Sequence, residues 1–303
     1  MRPHTEIVSV ADLIWHTAEL PAASGRARQQ NLSYDEENGA ASTRVRFDAD
    51  WRRPAGYHVA DTEWYVLDGT VLLGGHKLGP GDYLRAPAGL RVEEIEVAAG
   101  TEVMLFREFG DSEFVPSDHD RAEWIPRGGT TASTERGELT VVHAADAPWG
   151  GNIYEGEEQR ILRLQILYHD PGSPQEPSKG WLTNLVRVPP GKVGTIVEHH
   201  QVAEEAFGLS GRMDYNYGTF FAGSYFYRPP YVKHAYLHDG GGIGYTLLMR
   251  VDGNLTNWLT EDVGLAVGGR AVNYDPTDPR QAPAIAGLPV RSRSAGRWTG
   301  AGR

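Results

Sequence analysis

The sequence predicts an all-β chain of two similar domains, and three observations carry that expectation: length with composition, an internal repeat, and short β-type runs between turn formers. The 303 residues are about twice an ordinary single domain. The 37 Gly and 19 Pro, beside 14 Tyr and 8 Trp, favour many short strands joined by tight turns over long helices.

The repeat organises everything else. Residues 58–92 lie over residues 200–234 without a gap, at a separation of 142. That offset pairs His58 with His200, Glu63 with Glu205, Leu67 with Leu209, Gly69 with Gly211, Gly81 with Gly223, Tyr83 with Tyr225 and Pro87 with Pro229. A fainter upstream echo, at 134, pairs Asp12 with Asp146, Trp15 with Trp149 and Tyr34 with Tyr168. A surface loop at 171–180, PGSPQEPSKG, longer in the second copy than in the first, accounts for the difference. The expected domains are therefore 1–135 and 136–303, with the polar, Gly-rich stretch 124–138 as linker.

Within the second copy the runs LTNLVRV (182–188), GTIVEHH (194–200), EAFGLSG (205–211) and SYFYRPP (224–230) are β-branched or aromatic and bounded by Gly or Pro. Gly74-Gly75 and Asn216-Tyr217-Gly218 read as hairpin turns, where positive φ is cheap. The stretch 258–267, WLTEDVGLAV, is the one helical expectation. The tail beyond 275, rich in Pro, Gly and Arg, reads as an irregular arm.

Charge and cysteine content exclude several classes. A net charge of -11 opposes binding to nucleic acid or to an anionic membrane, both of which need excess Lys and Arg. A small-molecule partner is expected instead. With no cysteine there is no disulfide, thiol nucleophile or thiolate ligand, which also suits a cytoplasmic protein, and a metal would have to sit on His, Asp or Glu. No apolar run approaches the roughly 18 residues of a membrane span.

Of 11 histidines, His199, His200, His234 and His238 crowd into 40 residues. On an extended strand Glu198 and His200 share a face, Glu204 can face them again after a turn, and His234 can return on a later strand. Two imidazoles with one or two carboxylates suit Fe(II), Mn(II), Zn(II) or Ni(II) rather than Ca(II).

These residues resemble the cupin superfamily. Its first motif, His-x-His, three or four residues, Glu, six residues, Gly, is similar to EHHQVAEEAFGLSG, with His200, Glu204 and Gly211 in register. Its second motif is similar to GSYFYRPPYVKH, with Gly223, Pro229 and His234 in register. The nearest resemblance is to ChrR-like cupins, named for an anti-sigma factor's zinc-binding domain. It implies two tandem double-stranded β-helix (jelly-roll) barrels, one divalent ion, and self-association as a homodimer.

Two positions depart from the pattern. Glu198 stands where the first motif histidine belongs, leaving a two-His-two-Glu set unless His199 substitutes through another register. Tyr231 replaces the glycine after Pro229, which is expected to alter the turn. In the first copy the ligand positions become Gly56, Thr62 and Val92, so His58 stands alone and that barrel is expected to hold no metal. Arg85, Arg91 and Glu93 are left there as unassigned polar residues.

Eleven aromatics between Phe207 and Tyr245 could line a cavity for an apolar or aromatic ligand, or simply fill a core. The expected function is a metal-dependent small-molecule enzyme, foremost an Fe(II) dioxygenase. Metal ligands are expected from Glu198, His199, His200, Glu204 and His234, and catalytic groups from Glu198, Tyr215 and Tyr227. The alternatives are a non-catalytic zinc-binding sensor module, or a cupin isomerase, lyase or hydrolase using the metal as Lewis acid.

Overall fold

The computed structural model describes residues 2–108, 112–120, 138–150, 163–170, 181–194, 197–235, 237–253, 255–260, 270–273, 289–291 and 298–300. Every helix or strand among them is a strand. The helical expectation at 258–267 is thereby corrected: Thr256–Thr260 is a strand paired on both sides, and the rest of that stretch lies outside the described residues. Burial alternates there, with Leu255, Asn257 and Leu259 buried and Thr256 and Trp258 less so, and this two-residue period outweighs weak helical propensity. Within the tail, Pro289–Arg291 and Trp298–Gly300 pair as two short strands. The linker at 124–138 and the loop at 171–180 fall almost wholly outside the described residues. No helix among the described residues is long and apolar enough to cross a membrane.

Two compact units divide the chain, one built chiefly from Leu13–Asp146, the other from Pro3–Asp12 and Ala147–Arg293. In the first, a large antiparallel sheet runs Thr140–Val142, Tyr83–Ala86, Asp61–Asp68, Glu102–Glu108, Ala41–Phe47, Ala27–Tyr34, His16–Thr17. A small sheet, Arg91–Val92, Gly56–His58, Phe114–Pro116, accompanies it. In the second unit the large sheet runs Thr5–Ser9, Ser224–Arg228, Glu204–Tyr215, Tyr245–Val251, Trp181–Val188, Arg163–Asp170. The small one runs His234–Ala235, Val197–His200, Thr256–Thr260, Arg270–Asn273. From Tyr83–Ala86 to Ala27–Tyr34 the order of the first large sheet is repeated by Ser224–Arg228 to Arg163–Asp170, whereas His16–Thr17 and Arg270–Asn273 have no counterpart among the described residues.

Compared with a cut after 135, the first unit extends to Asp146 and the second claims Pro3–Asp12. Each large sheet leaves one edge of unpaired backbone groups, at Tyr83–Ala86 and at Ser224–Arg228. Thr140–Val142 covers the first edge and Thr5–Ser9 the second. Covering an edge satisfies main-chain donors and acceptors without demanding particular side chains.

The repeat identities have physical causes. Tyr83 donates its hydroxyl to Glu63 at 2.7 Å, and Tyr225 donates to Glu205 at the same distance, both pairs buried. A buried bond of this kind is worth about 0.5–1.5 kcal/mol. Gly69 and Gly211 have φ of 86° and 76°, Gly81 and Gly223 of 91° and 83°, where a Cβ is disfavoured. The first core is built from alternating inward residues around Phe47, Trp51 and Trp64, with Val45, Val66, Leu73 and Val103 packed against them.

Tyr231 does not alter its turn. It holds φ 68°, as its repeat counterpart Gly89 holds 73°, and the two amides donate alike, Tyr231 to the His200 carbonyl at 2.7 Å and Gly89 to the His58 carbonyl at 2.8 Å. The backbone bond fixes the left-handed conformation whatever the side chain. A side chain there costs about 1–2 kcal/mol, partly offset by the extra unfolded-chain freedom of glycine. Tyr231→Gly is accordingly expected to stabilise the protein by about 0.5 kcal/mol in urea unfolding; a loss of stability would contradict this account.

Candidate metal centre

In the strand Val197–His200, Glu198 and His200 are two residues apart and project to one face, with His199 on the other. Cross-strand register confirms the sides. Glu198 is paired with His234, and its Oε1 lies 3.1 Å from His234 Nε2. His199 is paired with Trp258 on the opposite face, their rings parallel at 6.5 Å between centroids. The His200 and His234 rings lie 5.0 Å apart. Glu198, His200 and His234 are buried and form a group of donors whose atoms lie within 4.8 Å of one another.

Glu204 opens the first strand of the large sheet after His200 and returns toward this group. Its Oε2 lies 3.8 Å from both His200 Nε2 and His234 Nε2. For bonds of about 2.1 Å, neighbouring donors stand roughly 3.0 Å apart in an octahedron and roughly 3.4 Å apart in a tetrahedron. The 3.1 Å between Glu198 and His234 lies in that range, whereas the 3.8 Å from Glu204 to each imidazole exceeds it, so Glu198, His200 and His234 are the compact set and Glu204 stands at its rim. His234 Nδ1 lies 3.4 Å from the Val232 carbonyl, an orientation that leaves Nε2 to face the centre.

The electrostatics agree. Burial would raise Glu198, but the hydrogen bond and charge of His234, with His200 and Lys192, hold its carboxyl down to about 2. Burial and the nearby His234 and Arg228 push His200 below its usual value despite Glu204 and Glu198, so its lone pair is free at neutral pH. Both states suit cation binding.

His199 is not brought to this centre; its two ring nitrogens are buried with no hydrogen-bond partner among the described residues. Nor are the two tyrosines. Tyr227 is paired with Glu205, one residue out of phase with Glu204, and so projects from the opposite face. Tyr215 stands far along the Glu204–Tyr215 strand and donates to Glu6 Oε2 at 2.6 Å. It connects to Glu204 only through Glu6 and Arg228, whose Nη1 donates to Glu204 Oε2 at 3.0 Å. The aromatic-cavity expectation divides similarly: Phe226 shares the Glu204 face, whereas Tyr225 and Tyr227 do not.

Three residues join the picture that the motif did not predict: Arg228, Glu6 and Asn257. Asn257 is paired with His200 and so shares its face, with both amide atoms buried and unpartnered among the described residues. Had 256–260 been read as a strand, alternation would have put Asn257 and Leu259 on one side. Glu6, nearly 200 residues upstream, gave no such signal.

Among its described residues the first unit has no such set. His58 is buried, but its Nε2 is 2.8 Å from Arg53 Nη2, and the ligand counterparts Thr62 and Val92 are an internally bonded hydroxyl and a core side chain. The Arg53 guanidinium, itself buried, lies 4.1 Å from the Phe114 ring and within reach of Trp51 and Trp64. A fixed organic cation takes the imidazole's lone pair there. Burial lowers Arg53 to about 9, and burial together with Arg53 and Arg107 lowers His58 well below 6.5. Arg85 meets Asp61 at 3.5 Å, and Arg91 meets Glu93 at 2.6 Å.

A folded-state value below the unfolded 6.5 means that the native protein binds fewer protons than the unfolded chain. The resulting stability is complete above about pH 6.5 and lost as pH falls toward the folded value, at up to about 1.4 kcal/mol per pH unit for each such histidine. The melting temperature of metal-free protein is expected to fall between pH 6.5 and 5, and His58→Gln to flatten that slope; an unchanged slope would remove His58 from the account.

A family model described as a domain of unknown function, DUF4437, matches residues 6–258. No curated protein matches the sequence. A crystal structure from Nostoc punctiforme PCC 73102, described as a "putative dioxygenase", is similar at 18% identity and TM-score 0.66, over 90% of this chain and 87% of that one. Bacillus subtilis oxalate decarboxylase, studied for its Mn(II) centres, is similar at 17% identity and TM-score 0.51, over 83% and 78%. The protein Ylba from E. coli is similar at 16% identity and TM-score 0.53, over 81% and 89%. At these identities the likeness is one of fold, that of tandem cupin barrels. It shows the fold alone and does not single out the ChrR-like group.

Proposed function

The chain belongs to the DUF4437 family, and on that premise we propose that it is a metal-dependent cupin enzyme acting on a small molecule in its second barrel. One observation carries the reading: donor atoms of Glu198, His200 and His234 lie within 4.8 Å of one another in a buried space, with Glu204 Oε2 at 3.8 Å from both imidazoles. These four would hold the ion; His58 and His199 would not.

A divalent ion bound there would supply Lewis-acid activation and coordination positions for substrate. The remaining work belongs to the side chains. Arg228 holds Glu204 by its Oε2, so that carboxylate is fixed in place yet not committed to the histidines. A carboxylate so placed can ligate or take a proton from bound substrate. Phe226, Met249 and Val251 share its face and are buried, which keeps water from the Glu204 side and suits an apolar substrate body.

Among reaction classes we favour an Fe(II) dioxygenase, in keeping with the Nostoc neighbour, over the lyase chemistry of the oxalate decarboxylase neighbours. Metal analysis of purified protein, then O2 uptake by Fe(II)-loaded protein with candidate phenols and diketones, tests this. Failure to bind Fe(II), Mn(II) or Zn(II) would sink the metal reading. Metal binding without O2 uptake would favour the lyase, isomerase or hydrolase reading. A second reading, a zinc-binding sensor module, is supported by the fourth donor, since Glu204 could close a tetrahedral site. Water-proton relaxation of Mn(II)-loaded protein separates the two: strong enhancement means positions open to water.

A further inference from the structure

We propose that the N-terminal strand is a working part of the metal centre: Glu6, acting through Arg228, sets the charge that Glu204 presents to a bound divalent ion. The inference rests on the reading that such an ion binds between Glu198, His200, Glu204 and His234.

Arg228 is 3% exposed and makes contact with two carboxylates. Its Nη1 donates to Glu204 Oε2 at 3.0 Å, the same oxygen that faces both imidazoles at 3.8 Å. Its Nε and Nη2 fork onto the two oxygens of Glu6 at 2.7 and 3.4 Å. Fork pairing of this kind fixes direction as well as charge. Tyr215 donates to Glu6 Oε2 at 2.6 Å, so the Glu6 carboxylate is held from a second side. Phe226 lies under the guanidinium at 3.7 Å and limits its swing.

A lone guanidinium on a ligand oxygen would repel a dication and draw Glu204 away from it. Glu6 neutralises that guanidinium, so Arg228 orients Glu204 without adding net positive charge beside the ion. The strand that supplies Glu6 is built for position. Its register on Ser224–Arg228 slips between Thr5 and Val8, and Ile7 in the slip takes φ 53°, which β-branched residues avoid. Strain of that kind persists where surrounding contacts over-determine it. The Val10 amide closes the far end on the Gly223 carbonyl at 2.9 Å.

The test is Mn(II) titration calorimetry on full-length wild type, Glu6→Gln, Arg228→Gln and the double variant, with thermal unfolding as a check on folding. Glu6→Gln is expected to weaken Mn(II) binding about 10- to 100-fold, the usual size for losing a residue that supports a ligand. Arg228→Gln is expected to tighten it, and the double variant to return within about threefold of wild type, because both charges leave together. A merely structural role would make the double variant no better than the single ones. If Glu6→Gln does not fold, the contrast between Arg228→Gln and the double variant carries the test. Wild-type binding with an unchanged Glu6→Gln affinity, or both single variants shifting the same way, overturns the inference alone. No wild-type binding overturns the metal reading with it.

Discussion

Replacing His234 by Ala is expected to abolish divalent-metal binding while leaving both barrels folded. The imidazole supplies the donor nearest to Glu198, at 3.1 Å, and stands 3.8 Å from Glu204, so it is a corner shared by both carboxylates. Without it, the remaining three donors lose the arrangement that makes the centre chelating. At a metal concentration about 100 times Kd, a binding site stabilises the native state by about 2.7 kcal/mol. Wild type should show that gain on adding Mn(II) or Zn(II), and His234→Ala should show none. His200→Ala should behave likewise, whereas His58→Ala should keep the full gain. A metal response lost in His58→Ala and kept in His234→Ala would reverse the assignment of the two barrels.

The largest expected effect on folding comes from Gly211→Ala, at about 3 kcal/mol or more of lost stability in urea unfolding. Gly211 holds φ 76°, and a Cβ there would overlap the Gly244 carbonyl oxygen and stand 2.7 Å from the Tyr245 Cα. Both are backbone atoms and cannot swing aside. Gly75→Ala is the control: its φ is 97°, but a Cβ there meets nothing within 4 Å, so only the conformational cost of roughly 1–2 kcal/mol applies. Equal losses in the two variants would show that crowding at Gly211 contributes nothing.

Much of this was legible in the chain itself where the information is local or repeated. The 142-residue offset pointed to Gly69 and Gly211, and both have positive φ. It pointed to Glu63, Tyr83, Glu205 and Tyr225, and they form the same bond twice. Two-residue parity put Glu198 and His200 on one face before any coordinate was known. The same parity could not choose between His200 and His199, because a strand's period says which residues go together and not which side is inside. The pairing of His199 with Trp258 and of Glu198 with His234 decided that.

By itself, then, the amino-acid order determined a twice-repeated β architecture, one surviving cluster of imidazoles and carboxylates, and its absence from the first copy. Those depend on alternation, turn conformation and spacing, which act over a few residues. Only the tertiary structure decided that Thr5–Ser9 closes the second sheet, that Glu6 meets Arg228, that Arg53 occupies His58, and that Tyr215 and Tyr227 stand off the centre. These are pairings between distant segments. An open sheet edge accepts any strand that can satisfy its main-chain groups, so the partner is selected by the packing of the whole molecule.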